Sequence, residues 1–222
     1  VVSGYLGAGE AGAAEAFLAE LLAGDPENLQ ALGLMGLVHA AAGRAGAARE
    51  AQARVLALDP DNAAAIAELA RLDAAEGDLA GARARLEAGL GRIPGHPLLM
   101  LRLARLRAAA GDAEGALALL ERLHARAPDS PGIANDLASL LAETRADDPE
   151  AIERAYAIAG RLRDSPEPAH QDTYAWTRHL RGEHREARAR LERVVEAVPD
   201  NPWPRYHLGM VLLALGEEAA AR

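Results

Sequence analysis

LALDPDN, residues 56–62, closes one apolar stretch of the chain and opens the next. Variants of it recur as AGDPEN at 23–28, RIPGH at 92–96, ARAPDS at 125–130 and EAVPDNP at 196–202. Pro26, Pro60, Pro94 and Pro128 are spaced by 34 residues, as are Gly9, Gly43, Gly77 and Gly111, and each proline follows its glycine by 17. Gly182 with Pro199 restarts the register, and Gly216 follows Gly182 by 34. A fixed period of this length marks a repeat architecture, and its punctuation divides each period into two helical segments. Glycine ends the first segment, because a left-handed residue there costs little only for glycine. Asp78, Asp112 and Glu183 follow three of these glycines and suit the next helix N-terminus. The proline with its Asp/Asn neighbours ends the second segment and turns the chain into the next repeat.

Composition agrees with helices and opposes sheets. Half of the 222 residues are hydrophobic but only 3% are aromatic. Alanine and leucine are strong helix formers, and β-branched residues are scarce. The repeats fall at 1–28, 29–62, 63–96, 97–130, 131–167, 168–201 and 202–222, the first and last incomplete, in one array without a linker. The fifth departs from the period, since Gly111 to Gly182 spans 71 residues where two periods need 68. TRADDPEA stands there in place of the glycine turn. Bringing Ala155, Ala159 and Leu162 onto the core face requires a turn about five residues longer, so a local bulge is expected.

These residues resemble the tetratricopeptide repeat over essentially the whole chain. Small residues, as that family has where helices cross, occupy Gly36, Ala70, Ala104, Ala138, Ala175 and Gly209 in the first helix. Ala14, Ala48, Ala82, Ala116 and Ala187 hold the matching place in the second. Met35, Leu69, Leu103, Leu137, Tyr174 and Leu208 precede the first set. The resemblance implies an all-α fold, an α-α superhelix (solenoid) of about seven helical hairpins. The C-terminal stretches NDLASLLAE, DTYAW and RYHLGMVLLALG are also similar to terminal repeats of bacterial proteins of exopolysaccharide and surface-protein (PEP-CTERM) sorting systems. Asp172, Thr173 and Trp176 match their Asp-Thr-x-Gly-Trp segment, with Ala175 in place of the glycine.

By the same resemblance, positions 2, 5, 9, 12 and 13 of each repeat face a concave groove, a surface that suits peptides. Repeats two to four then present Gly33, Leu37, Ala40, Ala67, Arg71, Ala74, Leu101, Arg105 and Ala108, a bland surface apart from two arginines. Repeats five to seven present Asn135, Ser139 and Glu143, then Asp172, Trp176 and His179, then Tyr206 and Met210. The i, i+4, i+7 spacing places Asp172, Trp176 and His179 on one helical stripe. Five of the seven aromatic residues lie between Tyr156 and Tyr206. The candidate partner-binding set is therefore Asn135, Ser139, Asp172, Trp176, His179, Tyr206 and Met210. The competing reading is that Trp176 and Tyr206 pack between helices.

Other chemistry finds little support. Net charge is −9, and all 24 basic residues are arginine. A chain without a basic stripe is a poor match to nucleic acid. Absence of cysteine excludes disulfides and thiolate metal sites, and fits cytoplasm and periplasm equally. No segment has the length of a membrane span. His170, His179 and His184 lie across a turn at intervals unsuited to zinc, so neither metal nor cofactor is expected. Relatives that grip a C-terminal carboxylate use lysine and asparagine at fifth positions. Gly33, Ala67, Leu101, Asn135, Asp172 and Tyr206 stand there and argue against such a clamp. No nucleophile–histidine–acid set is present.

The expected function is a non-catalytic scaffold holding a protein or peptide in its groove, in the bacterial envelope or the cytoplasm. The alternative is a recruiting arm of a glycosyltransferase, sulfotransferase or peptidase whose catalytic domain lies outside the segment. The chain begins at Val1 and stops at Arg222 in mid-pattern, so it reads as an excerpt. Open repeat ends would also permit self-association.

Overall fold

The computed structural model describes residues 2–7, 9–217 and 219–220. Among them the secondary structure is helical throughout. The helices are α1 (Val2–Gly7), α2 (Ala11–Gly24), α3 (Leu29–Ala41), α4 (Ala45–Leu58), α5 (Ala63–Ala75), α6 (Leu79–Arg92) and α7 (Pro97–Ala109). They continue with α8 (Ala113–Arg126), α9 (Pro131–Thr144), α10 (Pro149–Ala159), α11 (Pro168–Leu180), α12 (His184–Ala197) and α13 (Pro202–Ala214). A short 3-10 turn, Gly160–Leu162, extends α10. Two compact halves are distinguished, one ending at Leu106 and the other beginning at Arg107, a boundary inside α7. Within each half, consecutive helices pair as hairpins and each hairpin packs on the next.

The punctuation works as its chemistry requires. Gly9, Gly43, Gly77, Gly111, Gly182 and Gly216 all have positive φ, between 73° and 88°. Asn28 and Asn62 cap α3 and α5 by accepting from the backbone N–H of Ala31 and Ala65. Asp78 and Asp112 do the same for Gly81 and Gly115. Glu183 makes no such cap; its carboxylate pairs with Arg178 and Arg181 instead.

The small residues sit where helices cross. Ala104, Ala138, Ala175, Ala48, Ala116 and Ala187 are fully buried. Gly36 shows how one repeat departs and compensates. A Cβ there would lie 2.4 Å from Gln52 Nε2. Gln52 stands where other repeats carry Leu86, Leu120 and Leu191, and donates to the Gly33 carbonyl at 3.0 Å. Removing the methyl at position 36 makes room for the amide.

The fifth repeat absorbs its insertion in three places. α9 runs to 14 residues where α3, α5 and α7 have 13, and the turn 145–148 has four residues where 42–44 has three. α10 then starts three residues earlier relative to its core positions than α8 does, a comparison that pairs Ala155 with Ala116 and Leu162 with Leu123. Ala155, Ala159 and Leu162 are fully buried as a result. The extra length becomes mostly helix, so no protruding bulge forms at the turn, because a helical turn satisfies its own backbone bonds.

Arginine links neighbouring elements. Asp73 on α5 is 6% exposed and accepts from Arg49 Nη1 of α4 at 2.6 Å and Arg85 Nε of α6 at 2.8 Å. Burial alone would push its carboxyl up, but the Arg85 and Arg49 hydrogen bonds outweigh burial and hold it below the ordinary carboxylate range. A depressed pKa contributes stability at neutral pH that is lost as pH falls through the folded value. We expect Asp73→Asn to cost about 1–3 kcal/mol at pH 7, read as a lower urea midpoint, with the difference shrinking below about pH 4. A variant within experimental error of the wild type at pH 7 would show that this bridge is idle.

Candidate functional site

In the second half, the first helices of successive repeats, α9, α11 and α13, each begin with proline in their first turn and line a groove. Proline suits that position because its missing N–H and fixed φ cost nothing there. The groove has a volume of about 530 Å3. α9 supplies Asn135, Ser139 and Glu143; Glu167 and Asp172 come from the start of α11; Trp203 and His207 come from α13. Three carboxylates face it, and no arginine is among its lining residues.

Asp172 and His207 form the polar wall. Both are buried, and His207 Nδ1 donates to the two Asp172 oxygens at 2.9 and 3.1 Å. Ser139 Oγ donates to Glu143 Oε1 at 2.7 Å. The side-chain oxygen of Asn135 is shut off from solvent and accepts no hydrogen bond. Such an atom carries a desolvation cost. Trp203 stands at the mouth, 62% exposed, with Tyr206 edge-on to it at 6.3 Å and 54% exposed.

The seven predicted residues separate into groups. Asn135, Ser139 and Asp172 line the groove together. Trp176 lies behind it, half-buried, its ring stacked on His207 at 4.3 Å and on His179 at 4.9 Å. His179 is buried and turns toward the paired helix α12, where its Nδ1 meets His184 Nδ1 at 3.0 Å. Burial, with the neighbouring His184 and His207 adding to it, lowers the His179 pKa to about 4. Tyr206 is on the surface beside Trp203, and Met210 is half-buried one turn further along α13, outside the lining.

Sequence reasoning passed over His207 and Trp203. Trp203 holds the second position of its repeat, one of the positions implied to face the groove, and that was its only signal. His207 has none, because its partner Asp172 is 35 residues away. His170 bonds Ser165 Oγ at 2.8 Å. Among the described residues, no group of three or more His, Asp or Glu side chains is placed to hold a metal ion. No helix there is long and apolar enough to cross a membrane.

The first half has a groove of similar size, about 500 Å3, along α3, α5 and α7. Gly33 and Ala67, read as bland, are among its lining residues together with the exposed leucines Leu29 and Leu37.

Family profiles described as tetratricopeptide repeat match residues 3–63, 73–138 and 181–222. No curated protein sequence matches the chain. Among solved structures it is similar to a tetratricopeptide repeat protein from Parabacteroides merdae, with TM-score 0.67 and 15% identity over 87% of this chain and 75% of that one. It is also similar to PilF of Pseudomonas aeruginosa, with TM-score 0.72 and 16% identity over 92% of this chain and 91% of that one. A third similar structure is PilW, a type IV pilus biogenesis factor, with TM-score 0.71 and 18% identity over 95% and 94% of the two chains. At these identities the likeness is one of fold.

Proposed function

The chain belongs to the tetratricopeptide repeat family, a family that generally mediates protein–protein interaction, and from that premise we propose that it is a non-catalytic scaffold holding a partner protein in the groove of its second half. The carrying observation is the composition of that groove: Glu143, Glu167 and Asp172 with no arginine in the lining, and Trp203 exposed at the mouth. That set fits an extended segment bearing a basic side chain. A guanidinium or ammonium group supplies positive charge and further donors to these carboxylates, and an aromatic face beside it favours a cation. We place the scaffold in bacterial envelope assembly; this part rests on the resemblance of the C-terminal repeats to surface-sorting proteins, with PilW offering the same fold in a pilus biogenesis factor.

Selection from a displayed library of random peptides tests the reading. Enriched sequences are expected to carry arginine or lysine and to bind more weakly as salt rises, because exposed charge pairs are screened. The double variant Glu143→Gln/Glu167→Gln should weaken the best of them by about tenfold or more, near 1.4 kcal/mol. Enrichment of acidic peptides, or equal affinity in the double variant, would remove the basis for a cationic partner.

A further inference from the structure

The fifth repeat, whose insertion breaks the register, joins the sixth through the loop 163–167, and a second pocket of the second half opens beside that loop. It measures about 470 Å3 and is lined by Arg163, Asp164, Gln171, Arg190 and Arg193 among others. Three guanidinium groups against one carboxylate leave two positive charges unbalanced, on a chain whose net charge is −9. The cavity lies apart from the acidic groove and shares only Pro168 with its lining.

The wall is built in advance. Gln171 Nε2 lies 2.9, 2.9 and 2.8 Å from the carbonyls of Leu162, Arg163 and Ser165, its two N–H groups shared among the three, tying the loop to α11. Arg190 Nη1 donates to the Arg163 carbonyl at 3.0 Å and to Gln171 Oε1 at 2.6 Å, and its guanidinium lies over the Tyr174 ring at 4.8 Å. These contacts hold Arg190 in place and leave its charge uncompensated. Arg193 donates from Nε to the Ala189 carbonyl of its own helix at 3.0 Å, and makes no ion pair among the described residues. Arg163 reaches Asp164 only at 3.7 Å, beyond hydrogen-bond length, and both side chains are exposed.

The corresponding place one repeat earlier is an internal control. There the pocket beside the loop is lined by Pro128, Asp129 and Arg161, and its single arginine bonds both the Asp129 carboxylate and the Pro128 carbonyl. Two repeats earlier still, Arg92 is matched by Asp61 at 3.0 Å. Only beside the irregular repeat, among the described residues of these three loops, does arginine outnumber carboxylate.

We propose that this pocket is an oxyanion site whose ligand is a phosphate group, free or as a monoester. Two unbalanced positive charges match a phosphate dianion. Guanidinium groups present paired N–H donors that fit its oxygens, whereas a monocarboxylate would leave one charge unmet.

Calorimetric titration at constant ionic strength tests this, with inorganic phosphate, phenyl phosphate and acetate as separate probes. One-to-one binding of phosphate or phenyl phosphate is expected, at least tenfold tighter than acetate. Tighter binding of phenyl phosphate identifies the ester as the natural form, and tighter inorganic phosphate the free anion. Arg163→Ala/Arg193→Ala removes two exposed side chains and should weaken the tighter probe at least tenfold, with an unchanged circular dichroism spectrum. Arg161→Ala should leave binding as it is. No binding by either phosphate probe, acetate binding as tightly, or equal losses in Arg161→Ala would overturn the proposal. The acetate comparison needs only the wild-type protein, so it decides the matter even if the double variant fails to fold.

Discussion

Trp176→Ala should lower the stability of the second half by about 3 kcal/mol, toward the lower end of losses seen for tryptophan truncation because the ring is half-buried. The ring stacks on His179 of its own helix and His207 of α13, so truncation removes packing between two elements at once. Trp176→Phe separates packing from polarity. Phenylalanine keeps a ring for the stack and discards an indole N–H that is buried without a partner. Deleting an unsatisfied buried donor relieves its desolvation cost, so this variant should fall within about 1 kcal/mol of the wild type. Urea unfolding followed by circular dichroism reads both effects. If the alanine variant unfolds with the wild type while losing affinity for a groove-selected peptide, Trp176 is a ligand anchor and the packing account fails.

The second large effect is acid loss of stability through His179. Its folded pKa is about 4, below an ordinary value of about 6.5 for the unfolded chain. Below pH 6.5 the unfolded state therefore takes up a proton that the folded state refuses. The stabilisation tied to neutral His179 is complete above about pH 6.5 and is lost progressively as pH falls to about 4. A difference of this size corresponds to about 3 kcal/mol. The groups in contact with His179 are Trp176 on α11 and His184 on α12, and His207 of α13 adds to the shift. His179→Phe preserves a ring for Trp176 and cannot titrate. Its stability should vary less between pH 6.5 and 4 than that of the wild type, by close to one proton in the slope. Parallel pH profiles for the two proteins would place the acid sensitivity elsewhere.

Both results bear on the proposed groove. His207 belongs to the stack and also donates to Asp172 in the groove wall, so the wall is held by the same packing that acid would weaken. Peptide binding and acid stability should therefore be measured on the same variants.

Much of the architecture was legible because it depends on neighbours in the chain. A left-handed residue at Gly77 or Gly182, a capping Asp at 78 or 112, and a proline that stops a helix act within a few residues. The 34-residue spacing repeats those local decisions until the hairpins are defined. Glu183 is where that logic gave way, since two arginines within five residues competed successfully for its carboxylate. The candidate site was legible only in part. Spacing placed Asp172, Trp176 and His179 on one stripe, but a stripe has width, and successive helical residues are turned about 100° from one another. Asp172 came to face the groove, His179 the paired helix, and Trp176 the rings between them.

What the sequence determined by itself was therefore the succession of helices and turns, because backbone conformation is chosen locally. Tertiary structure alone decided which side chains meet. His207 finds Asp172 across 35 residues, Gln52 finds the Gly33 carbonyl across 19, and Asp73 draws in arginines 24 residues before it and 12 after. Arg163, Arg190 and Arg193 line one pocket only because the loop after the fifth repeat packs beside α12. Each of these contacts joins different helices, and its existence depends on how the helices pack, which no single stretch of chain encodes.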